Sequence, residues 1–342
     1  MRNYIDDKLL DPIVHQISGK NTGITLADRV RALLSYQKRI WKDLSDNYES
    51  LENILVKEYE FDHFSVKVQY NGNRFNSTTA DVGPDAIKKR SCFLCLKNLP
   101  KEQTGIRYYN DYLILSNPSP IFPEHFTIAK INHVPQALEP NVEGLLRLTK
   151  DLSEYFTIIY NGPECGASAP DHMHFQCFTK EIMPVEKDEC IQKKLFCEEL
   201  YLSKDYSVYA VNKYLRNMIL VESENAREAE KTLINILSIL GKMNPASSLN
   251  CTNIISFYKN KIWKMLIVPR RKHRPSYYFL KEKNRILLSP AAVDLGGLCI
   301  IPRREDFDKI NADIIREVFK EVCIPGEHFE YLKKLIRESF NK

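Results

Sequence analysis

The chain has 342 residues, of which 27% are charged and 44% hydrophobic, a composition typical of a folded globular protein. Its net charge of +5 suits an anionic substrate but falls short of the basic faces of nucleic-acid-binding proteins. No apolar run approaches the roughly 20 residues of a membrane span, and residues 1–7 lack the apolar core of a secretory signal. Nine cysteines, scattered apart from Cys92 and Cys95, indicate a reducing compartment. We therefore expect a soluble cytoplasmic protein.

The predicted elements of the N-terminal half begin with helices and continue with strands. Residues 1–60 are predicted to be helical, because Thr25 is a candidate N-cap and apolar residues follow it at helical spacing. At Phe64 the period changes to the alternation of a strand, which continues to Tyr70. The predicted elements that follow are strands at 112–115 and 125–129, a helix at 142–149, and strands at 155–160 and 172–178.

The C-terminal half contains a weak internal repeat. Strands are predicted at 263–269 and 297–302 after a helix at 226–243, and both strands end in Pro-Arg-Arg. The strand near Thr127 is also followed by basic residues. The sequence therefore predicts an α+β protein built from duplicated units. The predicted divisions are a helical extension (1–60), a first unit (61–195) and a second unit (196–342). The boundary between the two units follows a charged stretch at 184–194.

The segment CGASAPDHMHFQ, which ends at Gln176, is the most informative part of the sequence. On a strand, His172, His174 and Gln176 would share one face, because alternate residues point the same way. His174 is a candidate nucleophile, since a neutral imidazole attacks phosphorus well near pH 7. Gln176, the Ser168 hydroxyl and the backbone N–H groups of 166–168 could bind a phosphate. The structural alternative is a pair of buried histidines satisfied by hydrogen bonds.

A second constellation has the residue types of a metal site. Cys92 and Cys95 form a C-x-x-C pair, and His133 and His172 follow at intervals of 38 and 39 residues. Two thiolates and two imidazoles form a zinc-type set, and a site with all four positions filled is structural. The alternative is a pair of reduced thiols beside a turn.

The positively charged candidates are Arg74 and the basic cluster, defined here as residues 270–274. Arginine forks recognise phosphate well, but a basic run is commonly only a solvated face, and both interpretations of the cluster stay open. We expect His125 to have only a structural role.

Together, Asn161-Gly162, Gly166-Ala167-Ser168 and His172-Met173-His174-Phe175-Gln176 resemble the histidine-triad superfamily, in the transferase branch whose motif ends H-x-H-x-Q. That branch includes galactose-1-phosphate uridylyltransferase, diadenosine tetraphosphate phosphorylase and the GDP-hexose phosphorylases. The segments 174–176 and 184–187 are most similar to the GDP-hexose phosphorylases, and 117–121 is similar to a nucleotide-facing loop. The resemblance covers about residues 65–190. It is weaker over 250–320, where 263–269 resembles a degenerate second repeat without the motif histidines.

The resemblance implies duplicated units, each an antiparallel sheet with flanking helices, and a role for each motif residue. His174 would become nucleotidylated, and Gln176 would hold the phosphate of that intermediate. Because an amide cannot act as a general acid or base, transfer to a phosphate acceptor is expected rather than hydrolysis. The implied structural zinc ligands, which resemble those of the uridylyltransferases rather than the GDP-hexose phosphorylases, are Cys92, Cys95, His133 and His172. The predicted catalytic residues are His174, Gln176 and Ser168, and the predicted substrate contacts are Arg74, Asn117, Asn161, Gly166 and Ala167.

We therefore expect a nucleotidyltransferase or phosphorylase that cleaves a GDP- or UDP-hexose through a nucleotidyl-histidine and transfers the nucleotide to phosphate or a sugar phosphate. One alternative on the same fold is a diadenosine polyphosphate phosphorylase or a nucleotide hydrolase. Another is a zinc-stapled nucleotide- or RNA-binding module without turnover. The expected partners are the nucleotide substrate and phosphate, without membrane or nucleic acid, and the resemblance adds a second copy in a homodimer.

Overall fold

The computed structural model describes residues 3–243 and 251–341, and the strands in these ranges form a ten-stranded sheet and a three-stranded sheet. The strands are β1 (Leu55–Phe61), β2 (Phe64–Tyr70), β3 (Gly105–Tyr108), β4 (Tyr112–Ser116), β5 (His125–Lys130), β6 (Phe156–Asn161), β7 (His174–Thr179), β8 (Cys197–Leu202), β9 (Tyr206–Val211), β10 (Met218–Ser223), β11 (Thr252–Lys259), β12 (Ile262–Pro269) and β13 (Leu298–Ile301). The helices are α1 (Asp7–Ser18), α2 (Leu26–Ile40), α3 (Lys42–Glu49), α4 (Phe75–Thr79), α5 (Pro84–Lys89), α6 (Val142–Asp151), α7 (Glu189–Gln192), α8 (Ala226–Met243), α9 (Ala292–Leu295), α10 (Arg304–Lys309), α11 (Ala312–Val322) and α12 (Gly326–Phe340).

The larger sheet is internally duplicated. Its order is β3-β4-β5-β7-β6 followed by β11-β12-β10-β9-β8, so each half repeats one order of five strands outward from the junction. A helix links the third and fourth strands of each half, α6 in the first and α8 in the second. The halves meet where β6 pairs antiparallel with β11, with Asn161 opposite Asn253. The predicted α+β fold with duplicated antiparallel units is therefore confirmed, and β12 is the counterpart of β7.

The sequence pattern that suggested the duplication was nevertheless misread. Strand β13 lies outside the larger sheet and pairs parallel with β2, with Cys299 opposite Val68. It is therefore no counterpart of β12, although both precede Pro-Arg-Arg. A short apolar run ending at a proline is typical of many buried strands, so this likeness carries little information about repeats. Strands β3 and β8–β11, which complete the two halves, were not predicted.

The N-terminal helices pack on one face of the larger sheet. Thr25 caps α2 as predicted, since its side chain accepts a hydrogen bond from the Asp28 N–H and the Asp28 carboxylate accepts one from the Thr25 N–H. Val30 and Leu33 are fully buried in the same core as the apolar sides of α6 and α8. The prediction that residues 1–60 are helical is wrong at its C-terminal end, because β1 begins at Leu55. The division of the chain at residues 60 and 195 stays a prediction.

The two faces of the larger sheet have different partners. Phe175 and Cys177 of β7 contribute to the core beneath the helices, whereas Phe178 belongs to the core shared with the smaller sheet. Because side chains alternate along a strand, His174 and Gln176 point to this second face. Among the described residues, none of the helices has both the length and the apolarity needed to cross a bilayer.

Helix α12 is attached to β8 by a charge network that predicts pH-dependent stability. Lys333 donates to Glu198 at 2.6 Å and Arg337 also donates to it. These bonds, that from Lys333 foremost, lower the pKa of Glu198 from 4.5 to about 2. A carboxylate with a depressed pKa stabilises the fold above its unfolded pKa and loses that contribution as the pH falls towards its folded pKa.

We expect Glu198→Gln to reduce the free energy of unfolding at about pH 6 and to differ progressively less from wild type between about pH 4.5 and 2. Urea denaturation across this range measures the difference. The matched control is Glu199→Gln, whose side chain is exposed on the same strand. A constant difference at all pH values would contradict the assignment.

Candidate active site at the start of strand β7

The first motif histidine lies outside the strand that carries the other two polar residues. Strand β7 begins at His174, and His172 occupies the bend before it. The His172 ring donates from Nε2 to the Lys130 carbonyl at 2.7 Å, which turns Nδ1 towards the two cysteines of the C-x-x-C pair. The prediction that all three residues share one strand face is therefore wrong for His172. The prediction holds for His174 and Gln176, which both lie on β7. It fails for His172 because the chain becomes extended only after Met173.

Two residues, Gln136 and His172, hold His174 at the start of β7. Gln136 accepts a hydrogen bond from the His174 N–H at 2.8 Å and donates to the His174 carbonyl at 3.0 Å and to the Asn161 carbonyl at 2.9 Å. The His174 ring donates from Nδ1 to the His172 carbonyl at 2.8 Å, since a carbonyl can only accept. This bond assigns the proton to Nδ1 and the lone pair to Nε2. Burial lowers the pKa of His174 to about 4, so the ring is neutral at pH 7.

A cleft lies on this face of the sheet, between the first unit and a segment of the second that we call the capping segment (residues 273–294). Gln176 belongs to its lining, whereas the buried His174 lies two residues before it on the same face. Five other predicted site residues also line the cleft, namely Arg74, Asn161, Gly166, Ala167 and Ser168. The capping segment contributes His273, Arg274, Ser289, Ala291, Val293 and Asp294, and the apolar part includes Ile121 and Ile159.

Two amide side chains in the cleft have their oxygens occupied by protein donors. The Asn161 oxygen accepts from the Asn253 amide at 2.8 Å and from the Ala292 N–H at 2.9 Å. The Gln176 oxygen accepts from Nε2 of His125 at 3.1 Å. Among the described residues neither NH₂ group has a protein acceptor, so both can donate to an acceptor on a ligand, such as a phosphate oxygen.

The His125 tautomer follows from its second contact. The Ile121 N–H donates to Nδ1 at 3.4 Å, so the ring proton lies on Nε2 and is donated to Gln176. Burial lowers the pKa of His125 to about 3, which keeps the ring neutral. Asn117, a predicted substrate contact, is buried behind this ring and donates to Thr127 at 3.1 Å. It is not part of the cleft lining, because its side chain is used to shape the loop before β5.

The small-residue turn brings the two units into close contact. Gly166 has φ +111°, and a Cβ there would lie 2.6 Å from the Cβ of Ala291 in the capping segment. Any larger residue would strain the turn and push this segment outward. The Ala167 N–H donates to the Gly162 carbonyl at 3.3 Å, so the predicted nest is reduced to the N–H groups of Gly166 and Ser168.

The basic residues divide into structural and cleft-facing groups. Arg74 donates to the Ser119 carbonyl at 2.8 Å, and burial lowers its pKa to about 10, so it stays charged at pH 7. Arg270 is buried and donates to Asn253 and to four carbonyl groups, which makes it structural. Lys272 is paired with Glu321. Of the basic cluster, only His273 and Arg274 line the cleft.

The predicted metal ligands converge next to this site. The donor atoms of Cys92, Cys95, His133 and His172 all lie within 4.8 Å of one another. Cys92 Sγ is 3.3 Å and His133 Nδ1 is 3.2 Å from Nδ1 of His172. The Nε2–H bond of His172 leaves its Nδ1 lone pair free, as a metal ligand requires. Two sulfurs and two nitrogens at this spacing could hold a metal ion.

Three contributors to the site were missed in the sequence: Gln136, His125 and the capping segment. Gln136 and His125 act through hydrogen bonds between residues far apart in sequence, so no local spacing marks them. Beyond Arg274, the capping segment has no motif that predicts catalysis or ligand binding. The basic cluster was the one available signal for this part of the site.

Gln136 provides a test of how the site is held together. We expect Gln136→Leu to leave the His174 N–H and two buried carbonyls without partners, at a cost of about 1–3 kcal/mol for each group. Urea denaturation measures the loss. Gln16→Leu, at an exposed position of α1, is the control, and equal stability of the two variants would contradict this role.

The comparisons with known proteins give two family models that match successive parts of the chain. Residues 33–179 match a family model described as a domain of unknown function (DUF4922), and residues 184–342 match one described as a GDPGP1-like C-terminal domain. No curated protein matches the sequence.

Among solved structures, yeast Ap4A phosphorylase Apa2 shares the fold. Its free and Ap4A-bound structures each match at 13% identity with a TM-score of 0.54, and the AMP-bound structure matches at 14% with a TM-score of 0.53. Each match covers 84% of this chain and 97% of Apa2. The match to a GDPGP1-like C-terminal domain and the shared fold support the resemblance to the transferase and phosphorylase branch of the histidine-triad superfamily.

Proposed function

We propose that the protein is a nucleotidyltransferase of the phosphorylase type, which cleaves a nucleoside diphosphate hexose (GDP- or UDP-hexose) with phosphate or a sugar phosphate as the acceptor. One observation carries the proposal: the bond from His174 Nδ1 to the His172 carbonyl leaves the Nε2 lone pair for nucleophilic attack. The surrounding amides of Asn161 and Gln176, each with its oxygen occupied, supply donors for a phosphate.

In the first step, His174 Nε2 attacks the α-phosphorus of the nucleotide sugar. A P–N bond forms, the P–O bond to the sugar phosphate breaks, and the sugar phosphate leaves with that electron pair. The ring becomes positively charged, and the His172 carbonyl stabilises it by accepting the Nδ1–H bond. The NH₂ group of Gln176 would hold a non-bridging oxygen of the phosphoramidate.

In the second step, an oxygen of the acceptor phosphate attacks the same phosphorus. The P–N bond breaks and its electron pair returns to Nε2, which restores the free enzyme and releases a nucleoside diphosphate. Water would need a general base to compete, and the amide of Gln176 cannot act as one. This difference favours transfer over the hydrolase alternative.

Cleavage of a dinucleoside polyphosphate is the second candidate, and the fold shared with yeast Ap4A phosphorylase favours it. The chemistry at His174 would be the same, and only the leaving group would differ. The alternative of a binding module without turnover gives the reactive lone pair of His174 no use.

The proposal predicts a covalent intermediate on His174. Incubation with nucleotide sugars or Ap4A labelled at the α-phosphorus should transfer label to the protein, and His174→Ala should abolish it. The bond should be labile to acid, as a phosphoramidate is, and intact-mass measurement should show one nucleotidyl group per chain. His328→Ala, at an exposed position of α12, is the matched control and should be labelled as wild type is.

The product released from the labelled protein separates transfer from hydrolysis. Added phosphate should discharge the label as a nucleoside diphosphate, whereas release as a monophosphate without phosphate would indicate the hydrolase. Label on His174→Ala equal to that on wild type would refute the mechanism.

We further propose that the four-residue metal cluster binds structural zinc. The donor set fits, because two thiolates and two imidazoles satisfy a tetrahedral zinc ion completely. Such an ion would fix the position of the His172 backbone, whose carbonyl receives the His174 Nδ1–H bond. No position would stay open for substrate, so the zinc would have no direct part in the reaction.

The zinc proposal predicts about one zinc per chain by elemental analysis and a lower melting temperature after treatment with a chelator. Cys95→Ser should lose the metal and destabilise the protein. Cys197→Ser is the matched control, since Cys197 is also partly exposed but lies outside the cluster. Wild-type protein that is free of zinc and insensitive to chelators would contradict the proposal.

A further inference from the structure

The capping segment presents one arginine to the cleft in a fixed orientation. Arg274 donates from Nε to Ser289 at 3.2 Å and from Nη2 to the carbonyls of Thr78 and Ala80 at 3.3 and 3.1 Å. Its guanidinium also stacks over the Tyr278 ring, 4.2 Å from the centroid. Within the part of the chain that the structure describes, Nη1 has no hydrogen-bond partner, so one edge of the fork stays available to a ligand.

The cleft has an excess of positive charge on the side of the capping segment. Arg74 and Arg274 both line it, and the carboxylate in the lining is that of Asp294. Both oxygens of Asp294 are already engaged, by the N–H groups of Ala291 and Ile300. The two arginines outnumber this carboxylate, so the cleft favours an anionic ligand such as a phosphate.

The chemistry of the proposed reaction requires a second phosphate site. In a double displacement at one phosphorus, the leaving group departs opposite the nucleophile, and the acceptor later attacks from the same side. One subsite must therefore hold the phosphate of the leaving sugar phosphate first and the acceptor phosphate afterwards.

We propose that Arg274, with the adjacent His273, forms this phosphate subsite, so that the second unit supplies the acceptor side of the site in the first. This inference rests on the proposed function and deepens it, because it names a phosphate dianion as the acceptor group. During transfer, an oxygen of the phosphate held by Arg274 forms the new P–O bond as the P–N bond to His174 breaks. Arg74 donates to the Ser119 carbonyl in the loop between β4 and β5, and it would contact the nucleotide phosphate.

The test uses inorganic phosphate as the probe and the full-length protein. Isothermal titration should show that Arg274→Gln weakens phosphate binding about 10- to 100-fold, the range expected for hydrogen bonds to a charged group. The matched control is Arg271→Gln, an exposed arginine three residues earlier that lies outside the cleft, and it should bind phosphate as wild type does. Phosphate should also raise the melting temperature of wild type and Arg271→Gln more than that of Arg274→Gln.

A kinetic readout separates this inference from the proposed function. The label on His174 should still form in Arg274→Gln, but the phosphate concentration for half-maximal discharge should rise about tenfold or more. Equal phosphate affinity and equal discharge in Arg274→Gln and wild type would overturn the inference and leave the proposed function standing. Absence of label in every protein would instead refute the proposed function, while the titration would still test the subsite.

Arg274 also holds the chain near Thr78 and Ala80, so a second variant guards against loss of the fold. Arg274→Lys retains the charge without the fork and should bind phosphate with an affinity between those of wild type and Arg274→Gln. His273→Gln should fold independently of these bonds and weaken phosphate binding less than Arg274→Gln. Wild-type phosphate affinity in Arg274→Lys and His273→Gln together would overturn the inference.

Discussion

The hydrogen bond from His174 Nδ1 to the His172 carbonyl is the interaction on which the rest of the site depends. It joins the cluster of two cysteines and two histidines to His174 through one residue, because the His172 ring faces the cysteines while its carbonyl accepts from His174. Gln136 then fixes the His174 backbone to the end of β6. The orientation of Nε2 is therefore determined by the His172 carbonyl and by Gln136, and neither His172 nor Gln136 lines the cleft.

The same logic of indirect positioning applies to the amide donors. His125 holds the oxygen of Gln176, and Asn253 holds the oxygen of Asn161 across the junction between β6 and β11. Arg270 in turn holds Asn253. The second unit, which lacks the motif histidines on β12, thus retains a function: it orients donors of the first unit and closes the cleft with its capping segment.

Local patterns in the sequence were enough to predict the α+β class and to single out His174, Gln176 and the Cys92–Cys95 pair, because each depends on residue type and short spacing. His172 could not be separated from the strand in this way, since the bend before β7 is imposed by the Lys130 carbonyl and by Gln136, 42 and 38 residues away from the histidines they hold. The repeat was recognised from the wrong strand for a similar reason, as pairing partners rather than residue type distinguish β13 from β12. Contacts such as Asn117 with Thr127 and Gly166 with Ala291 follow from tertiary packing alone.

The parallel pairing of β2 with β13 has a consequence for how the chain can be divided. Arg74 lies just beyond the end of β2, so the position of a residue in the first quarter of the chain depends on a strand formed by residues 298–301. The close approach of Gly166 to Ala291 ties the two parts together a second time. The boundary between the two matched family models, at 179–184, therefore does not divide the fold into independent parts. Fragments separated at this boundary would each lack one wall of the cleft, so the cleft forms only where both parts of the chain are folded together.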